Sequence, residues 1–153
     1  MFYNLKRIRE SHDLTQREIA KILNVSKSSY NYFETGEHII PLKHLNNFCN
    51  IFHVSMDYVC GLTNVNKKTN KNITLSTKII SERLKNIRIK NKLTQTDLAK
   101  ILNTSQSNIS YYESGKNMIL TAFIYAFAKH FDVSLDYLTG RCDNIKITKR
   151  NEN

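Results

Sequence analysis

The sequence contains few of the residues that interrupt or cross-link a chain. It has one proline, four glycines, three cysteines and no tryptophan in 153 residues. With 41% hydrophobic residues, this scarcity of proline and glycine excludes a low-complexity or disordered chain. Cys49, Cys60 and Cys142 are odd in number and show no CxxC spacing, which argues against a disulfide framework or a zinc site. We therefore expect free thiols, with no metal and no cofactor.

Long hydrophobic runs and recognisable catalytic groupings are also missing. No apolar run approaches the roughly 18 residues that a membrane-spanning helix needs. The opening MFYNLKRIRE lacks the apolar core of a signal peptide. The five histidines are scattered, without a paired serine, cysteine or carboxylate motif. We expect a cytoplasmic protein that is not an enzyme, has no membrane partner and shows no evident small-molecule ligand.

Acidic residues are scarce relative to basic ones. The chain has 23 lysines and arginines against 13 acidic residues, a net charge of +10. Residues 1–62 carry seven basic and six acidic groups, whereas residues 63–80 carry four lysines and no acid. Such a basic excess suggests a polyanionic partner such as nucleic acid, although biased codon usage alone also produces a lysine-rich chain.

The chain contains the same module twice. LTQREIAKILNVSKSSYNYFETG, from Leu14 to Gly36, returns as LTQTDLAKILNTSQSNISYYESG, from Leu93 to Gly115. Aligning residues 5–61 with 84–140 gives 25 identities in 57 positions. A constant offset over that length indicates two copies of one folding unit. At about 60 residues, each copy is near the lower limit for a domain that folds alone.

Local signals predict five short helices in each copy. In the first copy, Thr15 followed by Glu18 is a capping box that opens the second helix. Asn24 ends that helix, because asparagine tolerates the left-handed conformation of a sharp turn. Ser26 then caps a third helix, Pro41 opens a fourth and Ser55 caps a fifth. The outer face of the third helix is short, polar and suited to the base edges of a major groove; it carries Lys27, Ser28, Asn31 and Tyr32.

These motifs resemble the phage repressor and Cro family, often called XRE-type. The resemblance depends on LTQ-x-(E/D)-(I/L)-A-K-I-L-N-x-S, on E-x-G and on VS-x-DY-x-x-G, each of which occurs in both copies. It implies an all-α fold with two tandem five-helix, lambda-repressor-like helix-turn-helix domains. We place the first domain at 1–62, a basic linker at 63–75, the second domain at 76–141 and a polar tail at 142–153. Residues 63–75 are expected to be free chain, either joining two domains on one duplex or acting as a solvated tether.

The resemblance also implies roles for individual residues. Gln16 and Gln95 are expected at a DNA phosphate, and the recognition helices 27–35 and 106–114 are expected in the major groove. Ion pairs are expected between the first helix and the recognition helix, with two solvated charges as the alternative; these pairs are Arg9–Glu34 and Arg88–Glu113. The full DNA-contacting set is Gln16, Lys27, Ser28, Ser29, Asn31 and Tyr32, with Gln95, Gln106, Ser107, Asn108 and Tyr111.

The function implied is sequence-specific regulation of transcription through double-stranded DNA, as a repressor that blocks a promoter, in a bacterium or phage. The alternative is an antitoxin-like or phage regulatory protein in which one copy has become a protein-interaction module.

The fourth helix of the second copy, within LTAFIYAFAKHF, has more apolar residues than one core needs. Small residues four apart beside an aromatic allow another helix to approach closely. We expect the outward residues Ala122, Tyr125 and Ala126 to form a homodimer contact. Packing against the first copy and a merely apolar surface are the alternatives. The matched positions in the first copy, expected to be solvated, are Lys43, Asn46 and Asn47.

Overall fold

The computed structural model describes residues 4–69 and 71–149. Within those ranges all regular structure is helical, so the predicted all-α class is confirmed. The chain forms two compact units, the first from Met1–Ile73 with Ile147–Asn153 and the second from Thr74–Lys146. No helix in the described part of the chain is long and apolar enough to cross a membrane.

Among the residues that the structure describes, each unit has five helices. The first unit contains α1 (Leu5–Glu10), α2 (Gln16–Leu23), α3 (Lys27–Thr35), α4 (Leu42–Phe52) and α5 (Met56–Val59). The second contains α6 (Thr77–Lys90), α7 (Gln95–Ile101), α8 (Gln106–Glu113), α9 (Thr121–Phe131) and α10 (Leu135–Leu138). The recognition helix predicted at 106–114 ends one residue earlier, at Glu113.

Side-chain caps define where these helices begin and end. The Thr15 hydroxyl accepts from the Glu18 amide while the Glu18 carboxylate accepts from the Thr15 amide, so the predicted capping box is confirmed. Asn24 ends α2 in the left-handed region, with φ 55° and ψ 48°, as predicted. Ser26 and Ser55 cap α3 and α5, also as predicted.

The core of each unit lies where the inner faces of its helices meet. Tyr30 of α3 is fully buried, and the matched position in α8 is Ile109, which is 2% exposed. Burying an aliphatic side chain such as Ile109 contributes roughly 1.5–3 kcal/mol before conformational entropy is subtracted. The fully buried side chains also include Leu5, Ile19, Leu45 and Phe48 in the first unit and Ile124 and Phe127 in the second.

The segment that follows α5 is docked on the first unit for part of its length. The Asn46 and Asn50 side-chain amides donate to the Ile73 carbonyl oxygen at 2.7 and 2.9 Å, and the Ile73 amide donates to Asn50 Oδ1 at 3.2 Å. His53 Nδ1 lies 3.2 Å from the Thr69 carbonyl oxygen. These contacts correct the expectation that 63–75 is free chain along its whole length. Asn46 is only 3% exposed, so the expectation of a solvated side chain there is wrong.

Candidate nucleic-acid interface

The same two-helix turn occurs in both units. Between α2 and α3, the Val25 amide donates to the Ala20 carbonyl oxygen at 2.9 Å, after the left-handed residue Asn24. Between α7 and α8, the Thr104 amide donates to the Ala99 carbonyl oxygen at 2.9 Å. The turn therefore fixes each third helix against the second and leaves one face of the third helix exposed.

In the first unit the exposed face of α3 is polar. Lys27, Ser28 and Tyr32 are exposed, whereas Gln16 and Asn31 are half-buried. These five residues line a depression of about 330 Å³, and we call them the first recognition face. The structure thus brings together five of the six residues that the resemblance implies for this unit.

Ser29, the sixth implied residue, is half-buried at the start of α3. Its amide donates to Ser26 Oγ at 3.0 Å, and its hydroxyl oxygen accepts from the Ser26 hydroxyl at 2.8 Å. The side chain of Ser29 therefore contributes to the helix cap in the structure.

In the second unit the matching face is also exposed. We call Gln95, Gln106, Ser107, Asn108 and Tyr111 the second recognition face; Gln95 is half-buried and the other four are exposed. Gln106 Nε2 donates to Gln95 Oε1 at 2.8 Å, which links α8 to the start of α7. Asn108 Nδ2 donates back to Thr104 Oγ1 at 2.9 Å, so its side chain lies along the turn.

A buried arginine–glutamate pair supports the first recognition face. Arg9 Nε donates to Glu34 Oε1 at 2.6 Å, Arg9 Nη2 donates to Glu34 Oε2 at 3.2 Å, and Nη1 donates to the Leu14 carbonyl oxygen at 2.6 Å. The Glu34 side chain is only 3% exposed. A planar guanidinium suits this two-pronged contact with a carboxylate. One side chain therefore joins α1, the segment before α2, and α3.

The second unit repeats this arrangement. Arg88 donates from Nε to Glu113 Oε1 at 2.6 Å and from Nη2 to Glu113 Oε2 at 2.9 Å, and its Nη1 reaches the Leu93 carbonyl oxygen at 2.6 Å. The Arg88 and Glu113 side chains are 11% and 3% exposed. Both pairs implied by the resemblance are thus brought into direct contact.

These contacts also shift the pKa values of the paired arginine and glutamate side chains. The hydrogen bond to Glu34 raises the pKa of the Arg9 guanidinium, and Glu113 does the same for the pKa of Arg88. Burial by itself raises the pKa of Glu34, but hydrogen bonds from Arg9 and Gln16 outweigh it and hold that pKa below its ordinary value. The first pair therefore stays fully ionised at neutral pH.

The glutamines at the start of α2 and α7 take part in the same networks. Gln16 Nε2 donates to Glu34 Oε2 at 2.9 Å and to Asn31 Oδ1 at 3.1 Å, while Gln95 Nε2 donates to Glu113 Oε2 at 3.0 Å. Sequence reasoning missed these bonds. The signal available was a glutamine eighteen residues before a glutamate in both copies.

Comparison with known families gives the same duplicated architecture. The helix-turn-helix family model matches residues 5–59 and again residues 84–138. The chain belongs to the helix-turn-helix family. The family resemblance drawn from the sequence is thus confirmed in both helix-turn-helix units.

Three curated relatives match parts of the chain. Antitoxin PezA of Streptococcus pneumoniae serotype 4 (strain ATCC BAA-334 / TIGR4) is 33% identical over 85 residues, 55% of this chain and 54% of that protein. Two uncharacterized HTH-type transcriptional regulators of Bacillus subtilis (strain 168) also match. YobD is 36% identical over 59 residues, which are 39% of this chain and 53% of YobD. YqaE is 38% identical over 56 residues, which are 37% of this chain and 48% of YqaE. The chain spans about half the length of these relatives, and no solved structure gives a significant match.

The helix-turn-helix fold leaves α9 of the second unit with an apolar side that its core does not fully cover. Ala122, Tyr125 and Ala126 are all half-buried. Lys129 Nζ lies 5.8 Å from the centre of the Tyr125 ring. In the first unit, the position matching Tyr125 is Asn46, which binds Ile73. The two units therefore differ in what they present on the fourth helix.

Proposed function

We propose that the protein is a sequence-specific regulator of transcription that binds double-stranded DNA through α3 and α8. The observation that carries this proposal is the duplication of a polar, exposed recognition face, each supported by a buried arginine–glutamate pair. The net charge of +10 favours a polyanion. We propose repression by occlusion of a promoter, without an enzymatic step.

The two recognition faces differ in the side chains that meet base edges. α3 begins with Lys27 and α8 with Gln106. Lysine donates to guanine, whereas glutamine pairs with adenine through two hydrogen bonds, and a good two-bond pair discriminates by about 1–3 kcal/mol. The two units are therefore expected to prefer different half-sites.

Selection from randomised duplex DNA, read by footprinting, tests the function. We expect two motifs at a fixed spacing. Gln106→Ala should relax one position of the second motif, at a cost of about 1–3 kcal/mol. Gln95→Ala should weaken binding to all sequences and also relax that position, because Gln106 donates to Gln95. If the full-length protein enriches no motif, the proposed function is wrong.

A second candidate function is antitoxin-like, with one unit binding a protein. It is favoured by the relative named an antitoxin, whose match covers 85 residues and so extends beyond one 55-residue helix-turn-helix match, residues 5–59. A single enriched motif, lost with substitutions in one unit only, would support this candidate over two-unit DNA recognition.

We also propose that α9 forms a homodimer contact. Ala122 and Ala126 are small, half-buried and four residues apart, which permits close approach of a second helix. Ala126→Lys is expected to convert a dimer into a monomer in sedimentation velocity without a change in helical content. Asn47→Lys places the same charge at the matched position in the first unit and should leave the dimer intact. Wild-type protein that sediments as a monomer at tens of micromolar would refute this contact.

A further inference from the structure

The two units differ where the chain leaves the first helix of each, beside the end of the fourth. In the first unit the His12 ring lies against the Phe52 ring, with 4.7 Å between the ring centres, and Phe52 is only 7% exposed. His12 Nδ1 lies 2.9 Å from the Ile8 carbonyl oxygen, which holds the imidazole in this place. The first unit therefore covers the end of α4 with a ring of its own.

The second unit keeps the phenylalanine but replaces the histidine. Phe131 matches Phe52, and each stacks on another phenylalanine of its own helix, at 4.5 and 4.6 Å with interplanar angles of 48° and 51°. Asn91 stands at the position of His12, and its Nδ2 donates to the Ile87 carbonyl oxygen at 2.8 Å. The asparagine side chain is thus bonded back to α6, and Phe131 is half-buried rather than buried.

A depression of about 270 Å³ opens between Asn91 and Phe131. The neighbouring His130 ring meets the Phe131 ring at 81°, but His130 is not among the residues that line this depression. A ligand site is typically a concave surface with an apolar lining and a few polar groups, and this volume lies near the lower end of such sites, at roughly 300 Å³. The apolar lining comes from Ile87, Phe131, Val133 and Ile145.

Charged side chains line the same depression. Lys90 and Lys146 are exposed there, and Asp132 is the acidic residue among them. Two positive charges and one negative charge leave a net charge of +1 around the apolar floor. A molecule with one negative charge therefore complements the depression better than a cation or a dianion does.

We propose that this depression binds a small aromatic carboxylate. The ligand ring lies on Phe131 as the His12 ring lies on Phe52, and the ligand carboxylate lies beside Lys90 and Lys146. The sequence gave no reason to expect a small-molecule ligand, because the exchange of histidine for asparagine acquires meaning only when the fold places that position beside a phenylalanine. Ligand binding here requires no DNA, so it can be measured on the free protein.

The test titrates benzoate into the full-length protein with labelled isoleucine methyl groups, at about pH 8, where histidine is ordinarily neutral. We expect saturable shifts of the Ile87 and Ile145 methyl signals, with a dissociation constant on the order of 1 mM. The signal of Ile8, which matches Ile87 in the first unit, should not shift. Lys90→Gln and Lys146→Gln should each weaken benzoate binding about two- to fivefold, and neither should change the binding of uncharged benzamide.

A matched pair of substitutions at Asn91 tests the place of the ligand ring. Asn91→His should weaken benzoate binding at least about tenfold, because the imidazole would occupy the position of the ligand ring. The first unit already holds histidine at this position, so the substitution suits the fold. Asn91→Ala leaves the depression open and should bind benzoate as the wild type does.

The outcomes that contradict the ligand site are specific. Wild-type protein without saturable shifts at tens of millimolar benzoate would refute the site, and so would equal binding by Asn91→His and Asn91→Ala. Equal effects of the two lysine substitutions on benzoate and benzamide would refute the preference for an anion. Failure of the wild type to select a DNA motif would refute the proposed function and leave this site standing.

Discussion

Arg88→Ala is expected to lower the free energy of unfolding of the second unit by about 3 kcal/mol, because it leaves the Glu113 carboxylate buried without its cation. The substitution also removes the donor to the Leu93 carbonyl oxygen. Gln95 remains as a neutral donor to Glu113, which is insufficient to replace a guanidinium. Urea unfolding measures the loss, and hydrogen exchange resolved by peptide should place it in the second unit, residues 74–146.

Three other variants serve as comparisons for the stability loss expected of Arg88→Ala. Arg9→Ala removes the matching cation and should destabilise the first unit by a similar amount. Lys6→Ala breaks an exposed pair, 3.9 Å from Glu10, and should change stability by less than about 0.5 kcal/mol. Arg88→Lys keeps the charge but loses the two-pronged geometry, so an intermediate loss is expected. Equal effects of Arg88→Ala and Lys6→Ala would show that burial gives the Arg88 pair no special weight.

The helix ends were predictable because the signals that determine them are local. Thr15 and Glu18 lie within one helical turn, and the left-handed tolerance of Asn24 is a property of that residue alone. Such interactions need no knowledge of distant parts of the chain. The same spacing occurs in the second copy at Thr94 and Asp97, which form a second capping box.

The contacts that the sequence did not reveal join residues far apart along the chain. Asn46 donates a hydrogen bond to the Ile73 carbonyl oxygen, 27 positions away, and neither residue type predicts that contact. An asparagine on the side of a helix is ordinarily solvated, and here a docked segment covers it. The Gln16–Glu34 bond likewise requires the packing of α2 against α3 before its donor and acceptor can be identified. Helical periodicity predicts which residues share a face of a helix. Which segment packs against that face depends on the tertiary structure.

A chain with both recognition faces intact is expected to bind a two-motif duplex about 10²–10⁴-fold more tightly than a chain with one face disabled. On the proposed function, once the first unit is bound at one motif, the covalent connection would keep the second unit at high effective concentration. Ile73 is docked on α4, so only residues 74 and 75 lie between that contact and Ser76, the N-cap of α6. The three residue steps from Ile73 to Ser76 span at most about 11 Å when extended. The preferred spacing of the motifs should therefore be sharp.

Ser28→Glu and Ser107→Glu are a matched pair for disabling one face at a time. Both serines are exposed, they occupy the same position in the two copies, and a carboxylate there is repelled by DNA. Each substitution should lower affinity for the two-motif duplex about 10²–10⁴-fold, in titrations at one fixed salt concentration. Ser28→Ala and Ser107→Ala remove the hydroxyl without adding charge and should have far smaller effects.

Pairing these variants with altered DNA assigns each unit to its motif. Scrambling the first motif should lower the DNA affinity of the wild type by about as much as Ser28→Glu does. Both changes together should lower the affinity little more than either alone, because they remove the same contact. Scrambling the second motif should lower the affinity of the Ser28→Glu variant further, but it should not lower that of the Ser107→Glu variant further. If Ser107→Glu abolishes specific binding while Ser28→Glu changes nothing on any duplex, the first unit reads no bases. The antitoxin-like division, with one unit free to bind a protein, would then be the better account of why the chain carries the module twice.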